Sequence, residues 1–174
     1  MMHISFQPIN GQELQNFCND VKAVLSIAVV EQFGMPKNGE VITDAEVMEV
    51  LHNPEATVYN IYANGEKAGG VALRINDVTH RNSMDLFYLY PEFHGRGLGY
   101  HVWKMIEGMY PETEVWELVT PYFEKRNIHF YVNKCGFRIV EFFCKYHVAP
   151  ETGQDSEVYK EEYFRFEKRM CLHR

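Results

Sequence analysis

The sequence predicts a mixed α/β fold of the α+β kind, with a mostly antiparallel central sheet of about six to seven strands and helices on both faces. Three observations carry that prediction. Two amphipathic helical stretches open the chain, each behind a capping signal. A run of period-two segments follows, joined by an Asn-Gly hairpin. The stretch "HGRGLG", His94 to Gly99, then turns a strand into a helix.

The elements follow in order. Asn10 with Glu13 reads as a capping box, and Leu14, Phe17, Val21, Val24, Leu25 and Val29 then recur at helical spacing until Gly34 and Pro36. Thr43 with Glu46 is a second box, followed by Val47, Val50 and Leu51 and closed by Asn53-Pro54. The period then becomes two. "TVYNIYA" runs into Asn64-Gly65, a strong hairpin signal, and returns as "AGGVALRI" with Val71, Leu73 and Ile75 on one face. "MDLFYLY" is a third strand, apolar on both faces as in a buried central position, and Pro91 ends it. After the glycines, Leu98, Val102, Met105, Ile106 and Met109 mark one helix face, up to Tyr110-Pro111. "VWELVT" is a strand stopped by Pro121, and "RNIHFYVNKCGF" is a short helix ending at Gly136. "FRIVEFF" and "EYFRFEKRM" are two strands joined by a long polar loop. The meander is antiparallel, while the strand-helix-strand unit across the glycines favours parallel pairing.

The bulk numbers set limits. A chain of 174 residues with 46% apolar and 14% aromatic content supports one full core, so a single domain over 1–174 is expected. The net charge of -7 argues against a broad nucleic-acid footprint, though not against a local basic pocket. No apolar run approaches the roughly 20 residues that span a bilayer, and "MMHISFQPIN" lacks the features of a secretory signal. Cys18, Cys135, Cys144 and Cys171 form no CxxC pair, which points to free thiols in a reducing cytoplasm. The histidines are scattered, so no structural metal is expected.

Gly95, Gly97 and Gly99 sit where a strand becomes a helix. The first N–H groups of a helix lack internal partners and carry partial positive charge. Glycines there let several N–H groups converge on one anion, typically a phosphate, and Arg96 adds a full charge. A nucleotide-triphosphate loop needs GxxxxGK[ST], which is absent. A dinucleotide fingerprint starting at Gly95 fails at Tyr100, although Glu117 imitates its ribose-binding acid. A tight turn with glycines only for packing is the plain alternative.

"HGRGLG" after Leu89-Tyr90-Pro91 resembles the acyl-coenzyme-A pyrophosphate loop of the GNAT superfamily of N-acetyltransferases, Gln/Arg-x-x-Gly-x-Gly/Ala. "NIHFYVNKCGF" is similar to the family's second signature, a short Asn-bearing helix closing in Gly-Phe. The order of elements agrees over nearly the whole chain. Two positions depart from the pattern. His94 stands where the family has Gln or Arg, and Tyr131 lies five residues before Gly136 rather than four. Either the helix bulges locally, or Val132 takes the usual site and Tyr131 turns away.

The resemblance implies acetyl transfer from acetyl-coenzyme A to a primary amine of a small molecule or peptide, by direct attack through a tetrahedral intermediate. It implies that the strand of Phe87, Tyr88 and Leu89 splays from that of Leu118 and Val119, opening a slot where the pantetheine arm pairs as an added strand. The coenzyme would meet Phe87, Tyr88, Leu89, His94, Gly95, Arg96, Gly97, Leu98, Gly99, Tyr100, Asn127 and Tyr131. Lys134 or Arg126 could meet its adenosine phosphates. The amine must lose a proton, so a base or water chain is needed, and the leaving thiolate gains from an acid. Tyr131 is the candidate acid, Glu117 the first candidate base and Asp85 the second. Asn127, at i, i+4 from Tyr131, binds the arm or caps the helix.

Acceptor contacts are expected from the first two helices, the 34–42 loop and the 147–161 loop, whose Glu151, Asp155, Glu157, Glu161 and Glu162 would attract a cationic amine. Phe137, Phe142 and Phe143 are expected in the core or on a homodimer surface. A non-catalytic acyl-coenzyme-A-binding module is the alternative function. No nucleic acid, membrane or metal partner is expected.

Overall fold

The computed structural model describes residues 1–150 and 162–171. In chain order its strands are β1 (Ile4–Pro8), β2 (Ala56–Ala63), β3 (Glu66–Arg74), β4 (Arg81–Leu89), β5 (Val115–Pro121), β6 (Arg138–Phe143) and β7 (Tyr163–Arg169). The helices are α1 (Leu14–Phe33), α2 (Asp44–Leu51), α3 (Leu98–Met109) and α4 (Lys125–His129). The strands form one sheet in the order β1-β2-β3-β4-β5-β7-β6. All neighbours are antiparallel except β4 and β5.

The helices divide between the two sheet faces as expected. On one face Phe17, Val21, Val47 and Leu51 of α1 and α2 pack against Val58, Ala72, Leu86 and Tyr88. On the other, Leu98, Val102, Trp103 and Ile106 of α3 pack with Tyr131 and Phe137 against Ile61, Val71, Trp116, Leu118 and Phe166. The Asn64-Gly65 hairpin is present, both residues at positive φ (52° and 83°), which the mirror-image turn between twisted strands needs.

The differences from expectation have local causes. β1 is an additional edge strand; its five residues are held by pairing with β2, from Ile4 opposite Ala63 to Pro8 opposite Tyr59, and carry little pattern of their own. The Asn10–Glu13 pattern caps a turn that precedes α1. The Asn10 side chain accepts from the Gln12 N–H, and Glu13 accepts from the Asn10 N–H. The second box is complete, with Thr43 and Glu46 capping each other's backbone. In α3, Met105 and Met109 are exposed, and Trp103 and Glu107 are buried instead. Trp103 turns inward against Trp116, ring centroids 5.4 Å apart, and Lys104 and Lys168 neutralise Glu107. Phe137 and Phe143 are buried, whereas Phe142 is exposed beside Ile139 and Val140 on the edge strand β6. All four cysteines are unpaired.

Candidate functional site

β4 and β5 pair only from Arg81–Val115 to Ser83–Glu117. Next to this short pairing, the register of β3 with β4 jumps from Leu73–Met84 to Ala72–Leu86, leaving Asp85 as the extra residue of a bulge. Beyond it the strands part. A cleft of about 1300 Å³ opens there, lined by Phe87, Tyr88 and Leu89 of β4, by Gly95, Gly97, Leu98, Gly99 and Tyr100, and by 123–127 and 129–131. The second half of α1 supplies a further wall through Val24, Leu25, Ile27, Ala28, Glu31 and Gln32. Leu118 and Val119 are outside the lining: Leu118 is buried in the core and Val119 is exposed. The wall facing β4 is thus the α4 segment rather than β5.

The glycines have two distinct reasons to be there. Gly95 and Gly97 adopt left-handed φ of 77° and 74°, which side-chain-bearing residues adopt only with strain. Gly97 is the N-cap of α3 and has no side chain to cap the first N–H groups; the nearby His101 ring bonds the Gly97 carbonyl instead, at 2.9 Å. The first turn of α3 also contains no acidic residue, so its N–H groups keep their positive potential toward the cleft. Gly99 has ordinary φ, but a β-carbon there would stand 3.2 Å from the Phe130 ring. It is small so that the α4 segment can pack on the start of α3.

His94 is occupied differently than its place in the motif implies. Its Nε2–H donates to the Leu89 carbonyl at 2.8 Å, so Nδ1 is the acceptor for the Arg126 guanidinium at 3.1 Å. Neither ring nitrogen remains to donate to a phosphate. Arg96 is exposed and outside the cleft lining, whereas Lys125, Arg126 and Lys134 line it.

Tyr131 reaches the cleft through a local bulge, the first of the two options left open by its spacing. Residues Phe130–Lys134 form a π-type turn in which the Cys135 N–H bonds the Phe130 carbonyl at 3.0 Å. The extra residue points Tyr131 inward, against Phe130, Phe137 and Phe166. It is 8% exposed, and burial, with smaller effects from Cys135 and Glu124, pushes its phenol pKa up. Asn127 shares the cleft with it, as their spacing implied. It is not a cap: the N-cap of α4 is Glu124, and the Asn127 amide donates to the Glu124 carboxylate.

The two expected bases lie elsewhere. Glu117 is paired with Arg81 and Arg165, and Asp85 accepts from Ser83 Oγ at 2.6 Å and Arg74 at 3.3 Å. Neither lines the cleft. The alternation of β5 buries Trp116, Leu118 and Thr120 and turns Glu117 to the opposite face. Two carboxylates line the cleft, the exposed Glu31 of α1 and the half-buried Glu124 beside Asn127, and sequence reasoning missed both; Glu124 is the one set among the α4 residues with Tyr131. Burial raises its pKa, only partly offset by the Asn127 hydrogen bond. Its one sequence signal was its place immediately before a short helix, three residues ahead of Asn127.

Of the acidic residues expected near the acceptor, Glu151, Asp155, Glu157 and Glu161 lie outside the described residues. Among the described residues, no helix is long and apolar enough to cross a membrane and no cluster of three or more potential metal ligands forms.

Comparison with known proteins adds to this geometry. A model of the acetyltransferase (GNAT) family matches residues 23–137. The "Uncharacterized protein YrkN" of Bacillus subtilis (strain 168) is 45% identical over 164 residues, spanning 91% of this chain and 89% of that protein. Among solved structures, the ribosomal-protein-S18-alanine N-acetyltransferase from Escherichia coli superposes with a TM-score of 0.68 at 10% identity, covering 99% of this chain and 97% of that one. The spermidine N-acetyltransferase from Vibrio cholerae, in complex with CoA and spermine, gives 0.65 at 13% identity over 95% of both chains. These last two likenesses are in fold.

Proposed function

This chain belongs to the GNAT acetyltransferase family, and from that premise we propose that it transfers an acetyl group from acetyl-coenzyme A to a primary amine of a small molecule or peptide. The observation that carries the reading is the uncapped, glycine-turned start of α3 opening into the same cleft as Tyr131 and Glu124. The chain's residues fit the coenzyme. Main-chain N–H groups at the start of α3, with Lys125, Arg126 and Lys134 beside them, suit its phosphates. Past the bulge, Phe87–Leu89 have no β5 partner, so this edge of β4 can pair with the amides of the pantetheine arm. Acetyl-coenzyme A supplies the activated acyl group.

Glu124 takes a proton from the bound ammonium, and the neutral amine this leaves attacks the thioester carbonyl. A carboxylate whose pKa is raised by burial is a stronger base than an exposed one, which narrows the gap to an alkylamine. Tyr131, whose raised pKa keeps it protonated at neutral pH, holds the proton that the leaving sulfur takes up. A backbone N–H on the open edge of β4 faces the carbonyl oxygen as negative charge develops there. The two fold neighbours named above are by their descriptions N-acetyltransferases, of ribosomal-protein-S18-alanine and of spermidine, which supports an amine acceptor without naming it.

The test is thiol release from acetyl-coenzyme A across polyamines, aminoglycosides, amino acids and peptides. Saturable turnover on at least one class is the expected result. Tight binding with no turnover on any of them would instead favour a non-catalytic acyl-coenzyme-A-binding module.

A further inference from the structure

We propose that Arg126, held in place by His94, supplies the fixed positive charge that meets the coenzyme's diphosphate at the start of α3. The inference rests on the reading of the cleft as an acetyl-coenzyme-A site and assigns a division of labour within it. The loop's first position holds His94, whose two nitrogens are both committed. The Leu89 carbonyl takes the Nε2 proton, which fixes the tautomer and orients the ring. Nδ1 then takes one guanidinium N–H of Arg126, which leaves the other N–H groups of the fork for a ligand. Arg126 and His94 line the same cleft as Gly95 and Gly97. The arginine inside the motif, Arg96, stays outside that lining. Lys125 and Lys134 line it as well, but each is a point charge on a flexible stem, without the planar fork that suits a phosphate. Arg126 is the cation in this lining with a structural tether among the described residues. His94 is therefore a positioning residue, and its effect on the ligand runs through Arg126.

The test is a double-mutant cycle read by calorimetric titration of coenzyme A and of dephospho-coenzyme A, which keeps the diphosphate and lacks the 3′-phosphate. Arg126→Ala is expected to weaken binding of both ligands by about 10- to 30-fold, the scale of a lost charge-assisted contact. His94→Leu should weaken it roughly 5- to 10-fold, and the double variant no more than Arg126→Ala alone. His94→Gln should recover affinity to within about 3-fold of the parent, because one amide offers both a donor and an acceptor. In turnover, Arg126→Ala should raise KM for acetyl-coenzyme A while kcat at saturation stays within about 2-fold. Unchanged affinity in Arg126→Ala, or penalties that multiply in the double variant, would overturn the proposal. A loss confined to coenzyme A would overturn the placement at the diphosphate. Should His94→Leu misfold, the Arg126→Ala and His94→Gln measurements decide alone. An unmutated chain that binds neither ligand would sink the parent reading together with this one. An active chain indifferent to Arg126→Ala would sink this one only.

Discussion

The two ends of the β4–β5 seam make an instructive contrast. At the closed end, over three residue pairs, nearly every charge has a partner. Arg81 reaches Glu117 and Glu167, Arg165 reaches Glu117, Glu141 and Glu167, and the buried Asn82 amide donates to Thr113 Oγ1 at 2.7 Å. At the open end, past Asp85, the helix start is uncapped, and a carboxylate and a phenol are held in burial that shifts both pKa values upward. The closed end shows how this chain satisfies polar groups when nothing else needs them. At the open end Glu124 has the neutral Asn127 amide as its partner in place of a cation and the helix start has no side-chain cap, as the proposed coenzyme site requires.

Four substitutions break or sharpen the contrast. Glu124→Gln has the largest expected effect: kcat falls by about 10²–10³-fold in the thiol-release assay. The same variant loses the acid limb of the pH profile, in which kcat/KM falls as acid protonates Glu124, with an apparent pKa above the ordinary carboxylate range. Stability should move the other way. A carboxyl raised by the fold contributes most below its unfolded pKa and loses that contribution as pH rises through the folded value. Removing its charge at neutral pH should therefore lift Tm, by about 1–3 °C in a thermal scan. Gly97→Asp comes next, placing a β-carbon at left-handed φ and a negative charge at the helix start, and coenzyme affinity should drop about 100-fold in calorimetry. Tyr131→Phe keeps the ring contacts with Phe137 and Phe166, so kcat should fall roughly 10-fold with KM for acetyl-coenzyme A nearly constant. Glu117→Gln belongs to the closed end and should leave kcat within about 2-fold. Its cost is stability of about 1 kcal/mol or less, read from urea unfolding, since Arg81 and Arg165 keep Glu167. A large kcat loss in Glu117→Gln would erase the distinction between the two ends.

Much of the scaffold was legible because local rules wrote it. The Asn64-Gly65 hairpin, the Thr43–Glu46 box and the glycine turn each depend on a few adjacent residues, and each is present. What escaped depends on partners distant in sequence. β1 exists because β2 offers it an edge, and Trp103 takes the inward place expected of Met105 because Trp116 of β5 faces it from the sheet beneath α3. The site divides the same way. The parting of β4 from β5 was implied by the family resemblance, but the bulge at Asp85 beside it, the turning of Glu117 to the opposite face and the placing of Glu124 in the cleft were not. The spacing of Tyr131 from Gly136 left two options, a local bulge or Tyr131 turned away, and the π-type turn is the first of them.

β7 lies between β5 and β6, and among the described residues β6 pairs with no other strand. Leu118 faces Phe166 across that seam, and Tyr131 rests on Phe166 in turn. Segments far apart along the polypeptide must therefore meet before the aromatic floor under the cleft is complete, the kind of closure that folds slowly. In deuterium-exchange experiments the β7 amides, flanked on both sides, should be among the last to open, and β6 should be released whenever they do.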